Sequence, residues 1–276
     1  MPTLLEKDKI VIQKWMSKNI KHDIQNTSGI DFLINYIKNR CWKDMQTPPL
    51  IKPKNSGFKT FILRSGTGSG KSTLIPPALY NEFLEKNKKS LIITQPTKTT
   101  TMDIPYQILQ YNKNLKLHET IGYQTGSISL KPINGILFTT VGILLQFLKT
   151  MTDEDIMKKF SFIIIDEVHN RSMDIDSVLF YLKQFLNRNW DNPLCPFVIL
   201  MSATFNPKIF MNYFECPKEN FLDILGSTYH IEDHFVDFDL SDYLTYVIDL
   251  TEKIHVDNIK DIEEKGIFRD VLIFVQ

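Results

Sequence analysis

The chain has 276 residues, of which 43% are hydrophobic and 23% are charged, so it is long enough for one large domain with appendages. Its 32 Lys and Arg residues balance 32 Asp and Glu residues, which excludes a strong overall basic field. No apolar run approaches the roughly 18 residues of a membrane span, and the first residues lack the pattern of a secretory signal. With three widely spaced cysteines, Cys41, Cys195 and Cys216, these features predict an intracellular protein with reduced thiols.

Residues 1–56 are predicted to form a mainly helical N-terminal extension. Apolar residues around Trp15 have the spacing of one helix face, and Ser28 is placed to cap a second helix that runs through Leu33. Three prolines between residues 48 and 53 interrupt this pattern, so a new structural unit is expected to begin after them.

From Lys59 onward, short apolar runs alternate with segments of helical periodicity. The apolar runs are residues 59–64, 90–95, 136–139, 161–166 and 197–202, and the periodic segments include 73–86, 141–150 and 173–188. Strands that are apolar throughout are typical of a parallel sheet with helices on both faces. Pro76 and Pro77 fall inside the first helical segment, where they should kink it or tighten its first turns. The pattern predicts an α/β fold with its ligand site at the carboxyl ends of the strands.

The first predicted strand leads into a Gly-rich segment that has the character of a phosphate-binding loop. Its glycines allow successive backbone N–H groups to face a phosphate, and the helix that follows adds its partial positive charge. Lys71 is expected to reach the β- and γ-phosphates, and Ser72 to hold Mg²⁺. Ser65 stands where the strict pattern has glycine, so a flexible linker is the alternative interpretation. The predicted nucleotide-binding residues are Gly66, Thr67, Gly68, Ser69, Gly70, Lys71, Ser72 and Thr73.

A carboxylate pair, Asp166 and Glu167, follows a second apolar strand. Phosphoryl transfer to water needs one carboxylate near Mg²⁺ and a second group that orients and deprotonates the water. Asp166 suits the first role and Glu167 the second. A lone acidic pair more often caps a turn, but a pair about 95 residues after a phosphate loop favours nucleotide hydrolysis.

A third segment, Ser202-Ala203-Thr204, ends another apolar strand. In this order the segments resemble the motifs of superfamily 2 nucleic-acid helicases of the DEAH/DExH group, over roughly residues 59–276. Val168 makes the acidic box DEVH, a variant similar to that of viral helicases. The segments that carry the resemblance are residues 66–73, 94–97, 140–145, 166–172, 202–204 and 226–232.

This resemblance implies an ATP-dependent RNA helicase that binds ATP, Mg²⁺ and single-stranded or tailed duplex RNA. It implies a RecA-like P-loop NTPase domain over residues 57–235, followed by a linker helix and the first strand of a second RecA-like domain over residues 236–276. By resemblance, the catalytic residues are Lys71, Asp166, Glu167 and His169, and the metal ligands are Ser72 and Asp166. The residues that couple nucleotide state to movement are Ser202 and Thr204, and those that contact the nucleic-acid backbone are Gln95, Pro96 and Thr140.

Two departures from the family pattern affect predicted contacts. Thr97 and Lys98 stand where many members have two arginines, and Gly126 stands where an arginine is common. These changes remove side chains that would contact adenine and a nucleic-acid phosphate.

By resemblance, the second RecA-like domain supplies arginine fingers and half of the nucleic-acid groove. Residues 270–276 resemble the strand that opens this domain, and such an apolar strand at the end of a chain would lack a sheet, so the chain is expected to be an N-terminal fragment of a longer helicase. An alternative function is a nucleic-acid-dependent ATPase that acts in transcription or packaging without separating strands. The Lys-, Asn- and Ile-rich composition, together with the DEVH box, is compatible with a viral source.

Overall fold

The computed structural model describes residues 31, 33–35, 55–66, 69–86, 88–203, 206–224, 243–265, 271 and 273. The predicted N-terminal extension lies almost wholly outside these residues, and the predicted motif at 226–232 lies wholly outside them. Contacts divide the chain into two compact units, Met1–Tyr229 and His230–Gln276.

The first unit contains an eight-stranded sheet, which includes all five predicted strands. Its strands are β1 (Thr60–Ser65), β2 (Ser90–Gln95), β3 (Ile121–Gln124), β4 (Ser129–Leu130), β5 (Ile136–Thr140), β6 (Phe160–Ile165), β7 (Phe197–Ser202) and β8 (Phe221–Ile224). The spatial order is β4-β3-β5-β2-β6-β7-β1-β8. All neighbouring strands are parallel except β3 and β4, which are antiparallel. The mostly parallel sheet confirms the predicted α/β fold.

Among the described residues, six α-helices with defined ends lie in the first unit and a seventh lies in the second unit. They are α1 (Lys71–Leu79), α2 (Lys98–Tyr111), α3 (Val141–Thr150), α4 (Asp153–Lys159), α5 (Met173–Asn189), α6 (Pro207–Phe214) and α7 (Tyr243–Lys265). Pro76 and Pro77 lie inside α1, and a wider π-helical turn, Tyr80–Leu84, follows directly. The prolines lack the N–H groups that a regular helix needs. The kink or tightened first turns predicted for this helix stay a prediction, and the irregularity that the structure has is the wider turn after the helix.

The central strands are buried on both faces, and successive residues enter opposite layers of the core. In β1, Phe61 and Leu63 pack in one layer, and Ile62 packs in the other. Helices α1 and α2 cover the first layer, while α3, α4, α5 and α6 cover the second. Leu33, from the region of the N-terminal extension, is fully buried in the first layer. The arrangement confirms helices on both faces of the sheet.

The parallel register aligns several strand ends at one edge. Thr94 pairs with Ile165, Gln95 with Thr140, and Arg64 with Ser202. The loops that follow these strands therefore leave the sheet at the same edge, as in other open parallel sheets that bind ligands there.

In the second unit, α7 spans 23 residues. Val271 and Ile273 are exposed and lie outside any helix or strand. The sequence predicts a strand around these two positions, and that strand stays a prediction.

Candidate nucleotide-binding site

The phosphate loop turns into α1 at Gly70, which has a left-handed backbone with φ of +77°. A Cβ atom at this position would lie 2.9 Å from the Leu74 side chain. The Gly70 carbonyl accepts hydrogen bonds from the backbone N–H groups of Thr73, at 3.0 Å, and Leu74, at 2.8 Å. Glycine at this point thus allows the helix to begin at Lys71 with its amino end directed at the loop.

Ser65, the departure from the strict loop pattern, has a structural role. Its hydroxyl donates to the Ser69 hydroxyl at 2.6 Å, and the Ser69 backbone N–H donates to the Gly66 carbonyl at 3.3 Å. The two bonds join the ends of the loop across its centre. Thr67 and Gly68 lie outside the described residues.

Asp166 follows β6 and is 1% exposed. Its Oδ2 atom accepts hydrogen bonds from the Ser72 hydroxyl and, at 2.9 Å, from the Gln95 amide, and its Oδ1 atom accepts from the Glu167 backbone N–H at 2.9 Å. Burial raises the pKa of Asp166, and the hydrogen bonds from Ser72 and Gln95 and the charge of Lys71 oppose this rise. The carboxylate is therefore shielded from solvent, and both of its oxygens accept hydrogen bonds.

Glu167 pairs with the loop lysine. Its Oε1 atom lies 2.8 Å from the Nζ atom of Lys71, whose side chain is 7% exposed. The Glu167 backbone is left-handed, with φ of +52°, a conformation that non-glycine residues adopt uncommonly. The next N–H group, of Val168, donates to the Met201 carbonyl at 3.1 Å and fixes this turn against β7. Such strain, held by neighbouring structure, is typical of functional sites.

His169 extends the contact chain toward β7. Its Nδ1 atom lies 3.2 Å from Glu167 Oε2 and 2.7 Å from the Ser202 hydroxyl. Lys71, Glu167, His169 and Ser202 thus form a continuous series of polar contacts. Thr204, the other predicted coupling residue, lies outside the described residues.

The residues predicted to bind Mg²⁺ are suited to that ion. The Ser72 hydroxyl donates a hydrogen bond to Asp166 Oδ2, so the two oxygen atoms are neighbours. Mg²⁺ prefers oxygen ligands. Within the described ranges, no group of three or more His, Cys, Asp or Glu side chains could hold a metal ion. A site with one or two protein ligands fits the usual mode of Mg²⁺ binding, in which phosphates and water supply the rest.

The three residues implied to contact nucleic acid lie in different environments. Gln95 is 2% exposed and its amide faces Asp166, so its side chain lies with the nucleotide-site residues and away from the surface. The reason is topological, because β2 lies between β5 and β6 in the sheet. Pro96 is exposed just before α2, and Thr140 is partly buried where α3 begins. Thr97 caps α2 by accepting from the Thr100 N–H at 3.1 Å.

Two further features of the acidic segment were not assigned roles from the sequence. Ser172 caps α5 by accepting from the Ile175 N–H at 3.2 Å, and Arg171 forms two bonds to the Asp176 carboxylate, at 2.7 and 3.1 Å. Serine before a helical segment with early acidic residues is a recognisable capping signal. The bidentate pair could be found only from the structure, because Arg171 precedes α5 and its partner Asp176 lies in the first turn of that helix.

The profile of the family described as "DEAD/DEAH box helicase" matches residues 46–211. "Putative RNA Helicase B962L" of African swine fever virus is 32% identical over 291 residues, which cover 99% of this chain and 29% of that protein. "ATP-dependent RNA helicase TDRD9" of Danio rerio is 33% identical over 187 residues, covering 64% of this chain and 13% of that protein.

This chain spans less than a third of the length of the relatives it matches. In the part of the chain that the structure describes, no helix has the length and apolar character needed to cross a membrane. The matched family profile covers the phosphate loop, the acidic pair and Ser202, the residues that the fold assembles at one sheet edge. The chain therefore belongs to the DEAD/DEAH box helicase family.

Proposed function

We propose that this chain is the nucleotide-hydrolysing part of an ATP-dependent RNA helicase, which uses ATP hydrolysis to move along a single strand and separate a duplex. The observation that supports this most strongly is the cluster of Lys71, Ser72, Asp166 and Glu167 at one edge of a parallel sheet. The relatives named as RNA helicases support RNA as the nucleic acid.

In this proposal the phosphate loop binds the triphosphate of ATP. The amino end of α1 and the left-handed turn at Gly70 direct backbone N–H groups toward anionic oxygens. Lys71 binds the terminal phosphates, and to do so it exchanges its contact with Glu167 for contacts with phosphate oxygens. The remaining loop residues, Gly66, Thr67, Gly68, Ser69, Ser72 and Thr73, complete the cradle.

Ser72 and Asp166 would hold Mg²⁺, which neutralises charge that develops on the phosphates. Asp166 is well placed for this role because it is buried and fixed by three hydrogen bonds. A fixed carboxylate needs little reorganisation when it binds a cation, and such preorganisation favours catalysis.

Glu167 acts as the general base that takes a proton from the attacking water. Release of Lys71 to the phosphates leaves the Glu167 carboxylate free to accept a proton, and His169 Nδ1 remains beside it. Because His169 also contacts Ser202, a shift of Glu167 is transmitted to the end of β7. We propose that Ser202 and Thr204 carry this signal toward the nucleic-acid surface.

The exposed start of α2 is our candidate for a nucleic-acid contact. Pro96, Thr97 and Lys98 are exposed there, and a helix amino end favours a backbone phosphate. Thr140 lies beside this point through its pairing with Gln95. Single-stranded RNA that crosses this edge would pass close to the nucleotide site.

We propose that a second RecA-like domain, outside the described residues, completes the ATPase. The relatives are more than three times as long as this chain, which leaves room for such a domain. The similarity to the African swine fever virus protein and the DEVH box support a viral origin.

The test is phosphate release from ATP by this chain, with and without single-stranded RNA, beside the variant Glu167→Gln. We expect slow release that RNA increases and that the variant loses, while both proteins bind a fluorescent ATP analogue. A chain that binds no nucleotide, with Lys71→Ala behaving identically, would refute the proposal.

Strand separation distinguishes a helicase from an ATPase that only acts on nucleic acid. The substrate is an RNA duplex with a single-stranded tail, and the readout is the release of a labelled strand. We expect ATP-dependent release by a form that includes the second domain, and none by its Glu167→Gln variant. RNA-stimulated ATP hydrolysis without strand release would favour the ATPase that acts in transcription or packaging.

A further inference from the structure

We propose that Gln95 is a positioning residue for Asp166, whose carboxylate it holds in the orientation that Mg²⁺ requires. The inference rests on the proposed function, because it assigns a role within the same nucleotide site. It differs from the role that family resemblance gave Gln95, which was contact with nucleic acid.

The sheet register brings the two side chains together. Thr94 in β2 pairs with Ile165 in β6, so the next residues, Gln95 and Asp166, are level at the ends of adjacent parallel strands. The Gln95 amide donates to Asp166 Oδ2 at 2.9 Å. Both side chains are at least 98% buried. The contact is therefore set by the central strands of the sheet and is shielded from water.

Gln95 donates to the same carboxylate oxygen as Ser72, the other residue predicted to bind Mg²⁺. Asp166 Oδ2 accepts from both Gln95 and Ser72, while Oδ1 accepts from the backbone N–H of Glu167. Ser72 comes from the phosphate loop, which the nucleotide contacts in the proposed mechanism, and the Glu167 N–H comes from the acidic segment itself. Gln95 comes from a different strand, so its contact with Asp166 depends on neither the loop nor the turn at Glu167.

The chemistry of glutamine suits this task. Its amide N–H donates to a carboxylate without adding charge, so it orients Asp166 without competing with the cation. Glutamate at this position would repel the carboxylate, and an apolar side chain would leave it without one donor. Partners that orient a metal ligand typically affect metal affinity or activity by about 10- to 100-fold.

The test measures binding of a fluorescent ATP analogue to this chain, by anisotropy, with Mg²⁺ and with a chelator. We expect wild type to bind more tightly with Mg²⁺. For the variant Gln95→Met, of similar volume, the increase in nucleotide affinity caused by Mg²⁺ should be about 10- to 100-fold smaller than for wild type. The affinity measured in chelator should be the same as for wild type. Affinity for single-stranded RNA, measured in the same buffers, should be unchanged.

Thr94→Val is the matched control. Thr94 is fully buried on the same strand, and its hydroxyl has no hydrogen-bond partner among the described residues. Thr94→Val removes a buried hydroxyl one residue before Gln95 and leaves the hydrogen bonds of Asp166 in place. The increase in nucleotide affinity caused by Mg²⁺ should therefore stay at the wild-type level. If Gln95→Met does not fold, as judged by thermal unfolding, the isosteric Gln95→Glu variant replaces it and should lose at least as much of the gain.

The outcomes separate this inference from the proposed function. If Gln95 variants keep the full Mg²⁺-dependent gain, or lose RNA affinity alone, the positioning role is wrong and Gln95 is a nucleic-acid contact or a structural residue. If wild type binds nucleotide with no dependence on Mg²⁺, or does not bind it, the proposed function itself fails, and the inference fails with it. An equal loss in Gln95→Met and Thr94→Val would also overturn the inference, because it would indicate general damage to β2.

Discussion

The ion pair between Lys71 and Glu167 predicts that Glu167, the proposed general base, competes with ATP for the loop lysine. The two charged atoms lie 2.8 Å apart, and the lysine side chain is only 7% exposed. Binding of ATP must break this contact before Lys71 reaches a phosphate. The variant Glu167→Gln keeps the shape of this side chain but removes its negative charge, so it competes less strongly with ATP for Lys71. The variant should therefore bind nucleotide more tightly than wild type and lose turnover.

The expected magnitude follows from the chemistry of the contact. In Glu167→Gln the glutamine carbonyl still accepts a hydrogen bond from the charged Lys71, but the attraction between two opposite charges is lost. For a partly exposed pair such as this one, that attraction contributes up to about 1 kcal/mol, and its loss corresponds to roughly fivefold tighter nucleotide binding. Under the proposed role of Glu167 as general base, the same variant should lower turnover by about 10²- to 10⁴-fold.

The assay is titration of a non-hydrolysable ATP analogue, combined with thermal unfolding of the nucleotide-free protein. The melting temperature of Glu167→Gln should fall by about 2–4 °C, and saturating nucleotide should reverse the difference. Glu119→Gln is the matched control, because Glu119 pairs with Lys116 at 3.3 Å on the exposed surface, where such pairs contribute little. Weaker nucleotide binding by Glu167→Gln would refute the competition.

Three other predictions concern the loop, the core and pH. Gly70→Ala places a side chain at φ of +77°, so urea unfolding should show a loss of about 1–2 kcal/mol, and an unchanged midpoint would contradict the backbone strain. Asn220 is fully buried and donates to three carbonyls within residues 57–60; Asn220→Ala should cost about 1–3 kcal/mol in the same assay, and a neutral result would show that water replaces the amide. The hydrogen bond from Arg188 lowers the pKa of Asp153 from its usual 3.8, so this carboxylate stabilises the fold above that pH and loses the effect as pH falls through its lowered value. Asp153→Asn should therefore show a smaller loss of stability below about pH 4 than wild type, and an identical acid profile would exclude a contribution from the pair.

Local sequence determined the strands and the main chemical groups. Runs such as residues 197–201 are apolar at successive positions, and in a short segment rich in β-branched residues that pattern favours a strand buried on both faces. Glycine before lysine at a strand-to-helix junction indicates a phosphate loop because few other structures need that backbone freedom. The short strands β3, β4 and β8 were not predicted, since their apolar signal is brief or interrupted.

Tertiary structure decided which side chains meet. Gln95 and Asp166 are 71 residues apart, and nothing local to either indicates that their strands are neighbours. The order of strands in the sheet makes them adjacent, so the Gln95 amide donates to the Asp166 carboxylate. The contacts of Glu167 with Lys71 and His169 likewise depend on a left-handed turn held by β7. Sequence thus specified the types of chemical group, because these follow from residue identity and local pattern, while their contacts depended on long-range strand pairing that no local pattern encodes.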